Sequence, residues 1–419
     1  MTTSASNPMI SLPGVHGQSG QASKVELFLW FLFVVLSPFY FFQSGAAQPA
    51  DVVLVLFVVT RFLRGRFFVV KELANIGMVV VMLLVWMACV NLAWFAFTHE
   101  FGFLKYTVYC SFNLLAVVAF CSLQQGEREQ FIRITATGMV FMGLFLAVYV
   151  AMTNGLRRFD TSNADRQVAF FNNPNQLAFY SILSGTFVAI INRFRLMPSL
   201  PSKFVPLLFL GFIYLTLMTA SRAGIVSIAL AAFLGFATRI QHLVVGGILL
   251  VVLVFAGLLD DESVQSGFRK LQRRIDRGNK VSLMEQVLGR GFDRIQGNEQ
   301  YLIFGAGEGF DDRFFAKGRR VKEFHSTFGA LIFSYGVIAV ILMVTLGIRL
   351  WRTAGISSLF LLPPLLFGVT HNGVRQIEFW LTPILLVMVM LVSKEAGKVP
   401  VVWQLRRPVN GHVPPHLRR

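Results

Sequence analysis

The sequence predicts an all-α polytopic membrane protein of about twelve transmembrane helices, with one large loop late in the chain. Three observations carry this. Of 419 residues, 55% are hydrophobic and 14% charged, where a soluble domain carries roughly a quarter charged residues. Mean hydropathy is +0.63 and 43 residues are Phe. Apolar stretches, most of spanning length and the second and eighth short, recur at 27–43, 50–63, 73–97, 104–123, 130–153, 175–192, 204–220, 223–238, 243–259, 326–348, 357–372 and 376–393.

Residues 1–24 are polar and Ser/Gly-rich, without the charged, apolar and small-residue pattern of a cleaved signal, and read as a cytoplasmic tail. The apolar run from Leu27 meets Pro38 and "FYFFQSG" with no cleavage site, so the first span is retained. Residues 25–259 hold the first nine helices. Within them, 204–238 as one helix would be roughly 52 Å long, too long for a hydrocarbon core of about 30 Å. The break is placed at "TASRAG", giving a tight helical hairpin. A loop follows at 260–324, then the last three helices at 325–393 and a basic tail at 394–419.

Orientation follows from Lys and Arg in the short connections. "RFLRGRFFVVK", "GEREQFIR", "NRFRLMPSLPSK", "TRIQH", "IRLWRTAG" and the tail fall on one side, taken as cytoplasmic, while "QSGAAQPA" and "THEFG" lack both residues. The 260–324 loop carries 13 basic and 11 acidic residues on the other side, which the rule permits because long loops cross regardless of charge. The excess of 38 basic over 21 acidic residues therefore reports cytoplasmic loops against anionic lipid, with the bilayer and not nucleic acid as partner. Cys89, Cys110 and Cys121 lie in or at the ends of apolar stretches without metal-ligand spacing, so neither a disulfide framework nor a zinc site is expected.

Several polar residues ask for an explanation. In "AFFNNPNQLAFYS", Asn173 and Pro174 read as N-cap and first helical residue. Asn175 then enters the span as a second amide, able to bond a sugar or another helix. Upstream, Arg157, Arg158 and Arg166 either add positive potential at that face or are solvated. Arg222, in "TASRAG", either snorkels to headgroups or clamps an anion between helices, since its planar fork suits phosphate. In "VLGRGFDRIQGNEQYLIFGAGEGF", Arg290 or Arg294 offers a second cation. The glycines read as a tight bend returning the loop to the membrane, because no strand–GxxxxGK[ST]–helix context exists. His325, in "EFHSTFGALIFSYGVIAV", is either an interfacial helix-end residue or a general base. In "GVTHNGVRQIEFW", His371 is a weaker candidate base, and Arg375 and Glu378, three apart, read as a helix-end pair.

"FFNNPNQLA", "TASRAG" and "GAGEGF…EFHSTFGALIFSYGVIAV", in this order, resemble the O-antigen polymerase and ligase family of bacterial membrane glycosyltransferases. Members carry His followed by Asn, Ser or Gln, then nine residues, Gly, two residues and usually Gly. Here His325–Ser326 and Gly336 match, and Ala339 stands at the second Gly position. The resemblance implies a GT-C-like fold, a periplasmic active site in the inner membrane and a glycan donor on undecaprenyl pyrophosphate. It implies no cofactor, nucleotide sugar or metal. It maps the catalytic His onto His325 and the arginines onto Arg222 and Arg290, with Arg294 one turn away. Substrate contacts from Arg158, Arg166, Asn175, His371 and Arg375 complete the expected site.

In the implied inverting transfer, two guanidiniums stabilise the departing pyrophosphate and His325 takes the acceptor hydroxyl's proton. Polymerase is preferred over ligase, and the reading leaves room for a chain-length regulator as partner. The rival from another class is a polysaccharide or lipid transporter or flippase, which inverted repeats would support; no internal repeat is found in the sequence.

Overall fold

A computed structural model describes residues 21–42, 46–153, 167–196, 204–236, 291–314 and 324–397. Among these residues there is no strand. Eleven helices carry the architecture: α1 Lys24–Leu36, α2 Pro49–Leu63, α3 Lys71–Thr98, α4 Phe101–Cys121, α5 Gln125–Thr153, α6 Pro174–Arg193, α7 Val205–Met218, α8 Arg222–Phe236, α9 Thr327–Ala354, α10 Leu362–Thr370 and α11 Ile377–Glu395. Six helical runs are long and apolar enough to cross a membrane: α3, α4, α5, α6, the run from α9 through α10, and α11. Large apolar side chains such as Val52, Phe141, Val148, Ile341 and Val344 lie exposed along the helix flanks. A bilayer covers such a surface without cost, whereas water does not.

The helix ends follow local chemistry. Ser23 caps α1 by accepting from the Val25 N–H. That helix stops at Leu36, short of the apolar run, because Pro38 cannot donate to the next turn and Ser37 caps the end. Gln48 and Asp51 form a reciprocal capping box at α2, with Pro49 behind the cap. The long 204–238 stretch does break at "TASRAG": Ala220 has φ 48° and the Ser221 hydroxyl accepts from the Gly224 N–H. α8 then packs tightly on α6, where a Cβ on Gly235 would stand 2.5 Å from the Ala189 Cβ. The expected span at 243–259 lies outside the described residues.

Contacts sort the helix ends onto two faces. On one, Val70 N–H donates to Cys121 O, Arg128 pairs with Glu72 and Glu395, and Arg349 donates to Asn75 O. This face carries Arg61, Arg64, Arg66, Lys71, Arg128, Arg133, Arg193, Arg352 and Lys394. On the other, Tyr40 N–H donates to Phe170 O, Asn172 to Phe42 O, Gln167 N–H to Met218 O and Thr327 N–H to His371 O.

"RFLRGRFFVVK" is more than a solvated connection. Arg61 falls in the last turn of α2, fully buried, with Nη1 3.1 Å from Glu26 and Nη2 3.1 Å from Glu127. Its Nε donates to the Ser122 hydroxyl and Nη2 to the Ser122 carbonyl, while Arg66 pairs with Glu127 at 2.7 Å.

Candidate functional site

The face opposite the basic one holds a chamber of about 760 Å³ between the ends of α1, α2, α4, α6, α10 and α11. Its walls bring together His325, His371, Asn175 and Arg375, four of the residues singled out from sequence.

His325 precedes α9, whose N-cap is Ser326, with the side chain accepting from the Gly329 N–H. His371 caps the other end of the same corner, at the C-terminus of α10. The two are locked by Thr327. Its N–H and its hydroxyl donate to the His371 carbonyl at 3.0 and 2.9 Å, and its oxygen accepts from the Gly373 N–H at 2.9 Å. The His371 ring stacks on Phe367 at 4.3 Å between centroids. Asn173 caps α6 as expected, accepting from the Asn175 and Gln176 N–H groups, which sets Asn175 in the first turn at the chamber wall.

Arg375 corrects the sequence reading. It does not pair with Glu378, because it precedes the helix: α11 starts at Ile377 after an extended Gln376, so the three-residue helical spacing does not apply. Its Nε instead meets Glu308 at 3.1 Å, and its guanidinium lies 4.4 Å over the Tyr106 ring. Glu308 is 5% exposed, and its carboxylate also accepts from Asn372 at 3.4 Å.

Glu308 belongs to "GAGEG", which runs between the α3–α4 corner and a kink in α9. The Ala306 and Gly307 N–H groups donate to Phe333 and Ser334 carbonyls at 2.8 Å, and the Glu308 N–H to Asn91 Oδ1 at 2.9 Å. These donors are spent on protein, which fits the bend reading and leaves none of the three for a phosphate. Two glycines make the approach possible. Gly336, in the His–Ser–x9–Gly motif, is the kink, with φ 71°, and a Cβ there would stand 2.3 Å from the Ile303 carbonyl oxygen. Gly309 passes Gly102 so closely that a Cβ would meet its carbonyl carbon at 2.3 Å.

The cations the resemblance favours are placed differently. Arg294 does not line the chamber. It is 2% exposed, pairs with Asp311 at 2.8 Å and lies 4.4 Å over Phe324, the chamber residue beside His325. Burial pulls its guanidinium below the usual arginine range, and the charge and hydrogen bond of Asp311 oppose that. Arg222 opens α8, exposed, at the chamber face but outside the chamber lining. Arg158, Arg166 and Arg290 lie outside the described residues. No protein-family model matches the chain, and no curated protein does. The resemblance therefore rests on the short sequence motifs alone.

Sequence reasoning missed other wall residues, Lys105, Asn113, Gln48 and Asp51, and took Glu378 only as a partner for Arg375. Each sits inside or beside an apolar run, where spacing alone gives no sign of a shared cavity. Among the described residues, no three His, Cys, Asp or Glu side chains converge as a metal site. The lining is instead mixed: neutral amides and tyrosines, two imidazoles, the cations Lys105 and Arg375, and the carboxylates Asp51 and Glu378. Amides both donate and accept, which suits a polyhydroxylated ligand.

Proposed function

We propose that the chain is a surface-polysaccharide polymerase of the O-antigen type. It would span the bacterial inner membrane about twelve times in a GT-C-like fold, with the chamber open to the periplasm. The basic short connections among the described residues support that orientation, since they cluster on the face away from the chamber. The observation that carries the reading is the chamber itself. His325, from the motif shared with the family, lines it beside His371, an amide-bearing helix start at Asn175 and the cation Arg375.

The chemistry matches those residue types. An acceptor hydroxyl on a lipid-linked repeat unit attacks the anomeric carbon of the donor glycan. The new C–O bond forms as the C–O bond to undecaprenyl pyrophosphate breaks, and the electron pair leaves with the pyrophosphate. The proton goes to His325, a transfer worth about 10²–10⁴-fold. Cationic side chains share the charge of the leaving group without a metal. The resemblance assigns this to Arg222 and Arg290, with Arg294 as the alternative. Since Arg222 and Arg294 do not line the chamber, the cations at its wall are Lys105 and Arg375. Displacement in one step inverts the anomeric centre.

Purified full-length protein given only lipid-linked repeat units is expected to produce a ladder of longer products. Product that forms only when lipid A–core is added identifies a ligase. Transbilayer movement of the lipid-linked glycan without new glycosidic bonds identifies a transporter or flippase.

A further inference from the structure

Two cations line the chamber wall from neighbouring positions, and their surroundings differ. Arg375 lies over Tyr106, and Lys105 is the residue just before that tyrosine on α4. Arg375 has a carboxylate at 3.1 Å, and that carboxylate is buried and accepts from Asn372, while the backbone N–H of Glu308 donates to Asn91 Oδ1. An opposite charge at this range offsets much of the field a guanidinium presents to a ligand. Lys105 is exposed to the chamber and makes no ion pair among the described residues. The carboxylates that line the chamber, Asp51 and Glu378, come from α2 and α11.

We infer that Lys105 is the anion-binding residue of the chamber, taking a phosphate or pyrophosphate group, and that Glu308 sets how much Arg375 contributes beside it. This rests on the polymerase reading for the identity of the anion, a lipid-borne pyrophosphate. An ammonium on a flexible stem binds phosphate as a point charge, and Arg375, anchored through Nε, supplies direction. Glu308 is a positioning residue: it fixes Arg375 and holds down its net charge.

The two roles make predictions of opposite sign. Binding of farnesyl pyrophosphate to the full-length protein in detergent is measured for wild type and variants, with inorganic pyrophosphate and farnesol as controls. Lys105→Met is expected to weaken farnesyl pyrophosphate binding about tenfold and leave farnesol unchanged, while Lys105→Arg stays within about threefold. Glu308→Gln keeps an acceptor for Arg375 and removes the cancelling charge, so it tightens binding about threefold. Inorganic pyrophosphate binding as tightly as the farnesyl compound means that the site reads the free anion and not the lipid-borne one, which overturns the lipid part of the inference.

Wild-type affinity in Lys105→Met, with an unchanged melting temperature, overturns the role of Lys105. Unchanged or weaker binding in a stably folded Glu308→Gln overturns the role of Glu308. Should that variant not fold, the two Lys105 variants decide the anion-binding claim, and Asn372→Ala, which frees Glu308 on one side, reads the positioning claim through a shift in affinity. Failure here is distinct from failure of the polymerase reading. A wild type that elongates lipid-linked repeats while Lys105→Met binds normally loses only this inference. A wild type that makes no product and prefers farnesol to farnesyl pyrophosphate loses both.

Discussion

The two faces of the bundle handle charge in opposite ways. At the basic face, Arg61, Glu26 and Glu127 are fully buried; Arg61 serves both carboxylates and a serine, and Arg66 adds the second cation on Glu127. At the other face, Arg375 has its carboxylate, yet Lys105, Asp51, Glu378 and two histidines line open space. Taking charges out of water is expensive, so a dry cluster persists only when its charges are matched internally. A charge beside a chamber, such as that of Lys105, can persist without an ion pair because solvent or a ligand can answer it. The first pattern holds helices together; the second is what a reactive site requires.

Access separates the faces most widely. With the native cysteines replaced by Ser, a cysteine at Glu100, exposed beside the chamber, should react with an impermeant thiol reagent in intact spheroplasts. One at Arg352, exposed on the basic face, should react only after lysis. The reverse pattern inverts the orientation and removes the proposed function with it.

Stability comes next. Arg61→Met takes the hydrogen-bonded guanidinium from buried Glu26, leaves Glu127 to Arg66, and should cost about 3–5 kcal/mol, read as a large drop in melting temperature. A chamber substitution such as His371→Ala should leave melting nearly unchanged, since that ring is partly exposed. Similar losses from both would erase the contrast. Gly336→Ala forces a side chain onto a left-handed residue and into the Ile303 carbonyl, at a cost of about 1–3 kcal/mol. The same measurement checks it, and a wild-type melting curve would mean that the α9 kink is not needed. The smallest effect belongs to Asn173→Ala, which removes the α6 cap for about 1 kcal/mol and loosens Asn175 at the wall. Its expected signature is a modest rise in KM for the lipid-linked acceptor with little change in kcat.

Much of the fold was legible because a bilayer imposes a length on apolar runs. The run at 73–97 appears as Lys71–Thr98 and that at 175–192 as Pro174–Arg193. Asn–Pro marked the start of α6, and the excess length of 204–238 required the hairpin that Ala220 and Ser221 form. The site was only half legible. His325, His371, Asn175 and Arg375 stood out as polar residues at the edges of apolar runs. Lys105 did not, because one lysine near a helix start looks like any interfacial lysine. Glu308 was hidden among glycines that drew the reading toward backbone shape, and Arg375 was matched to the wrong acid because spacing along one chain cannot show a partner 67 positions away. Arg61 was read only as one charge of a basic connection for the same reason, since its partners come from α1 and α5.

The most direct test of the chamber as the reactive centre is His325→Ala, assayed for elongation of lipid-linked repeat units and for melting temperature on the same purified sample. The prediction is a fall in elongation of about 10²–10⁴-fold with melting unchanged. A near-normal product ladder from a stably folded His325→Ala protein would contradict it.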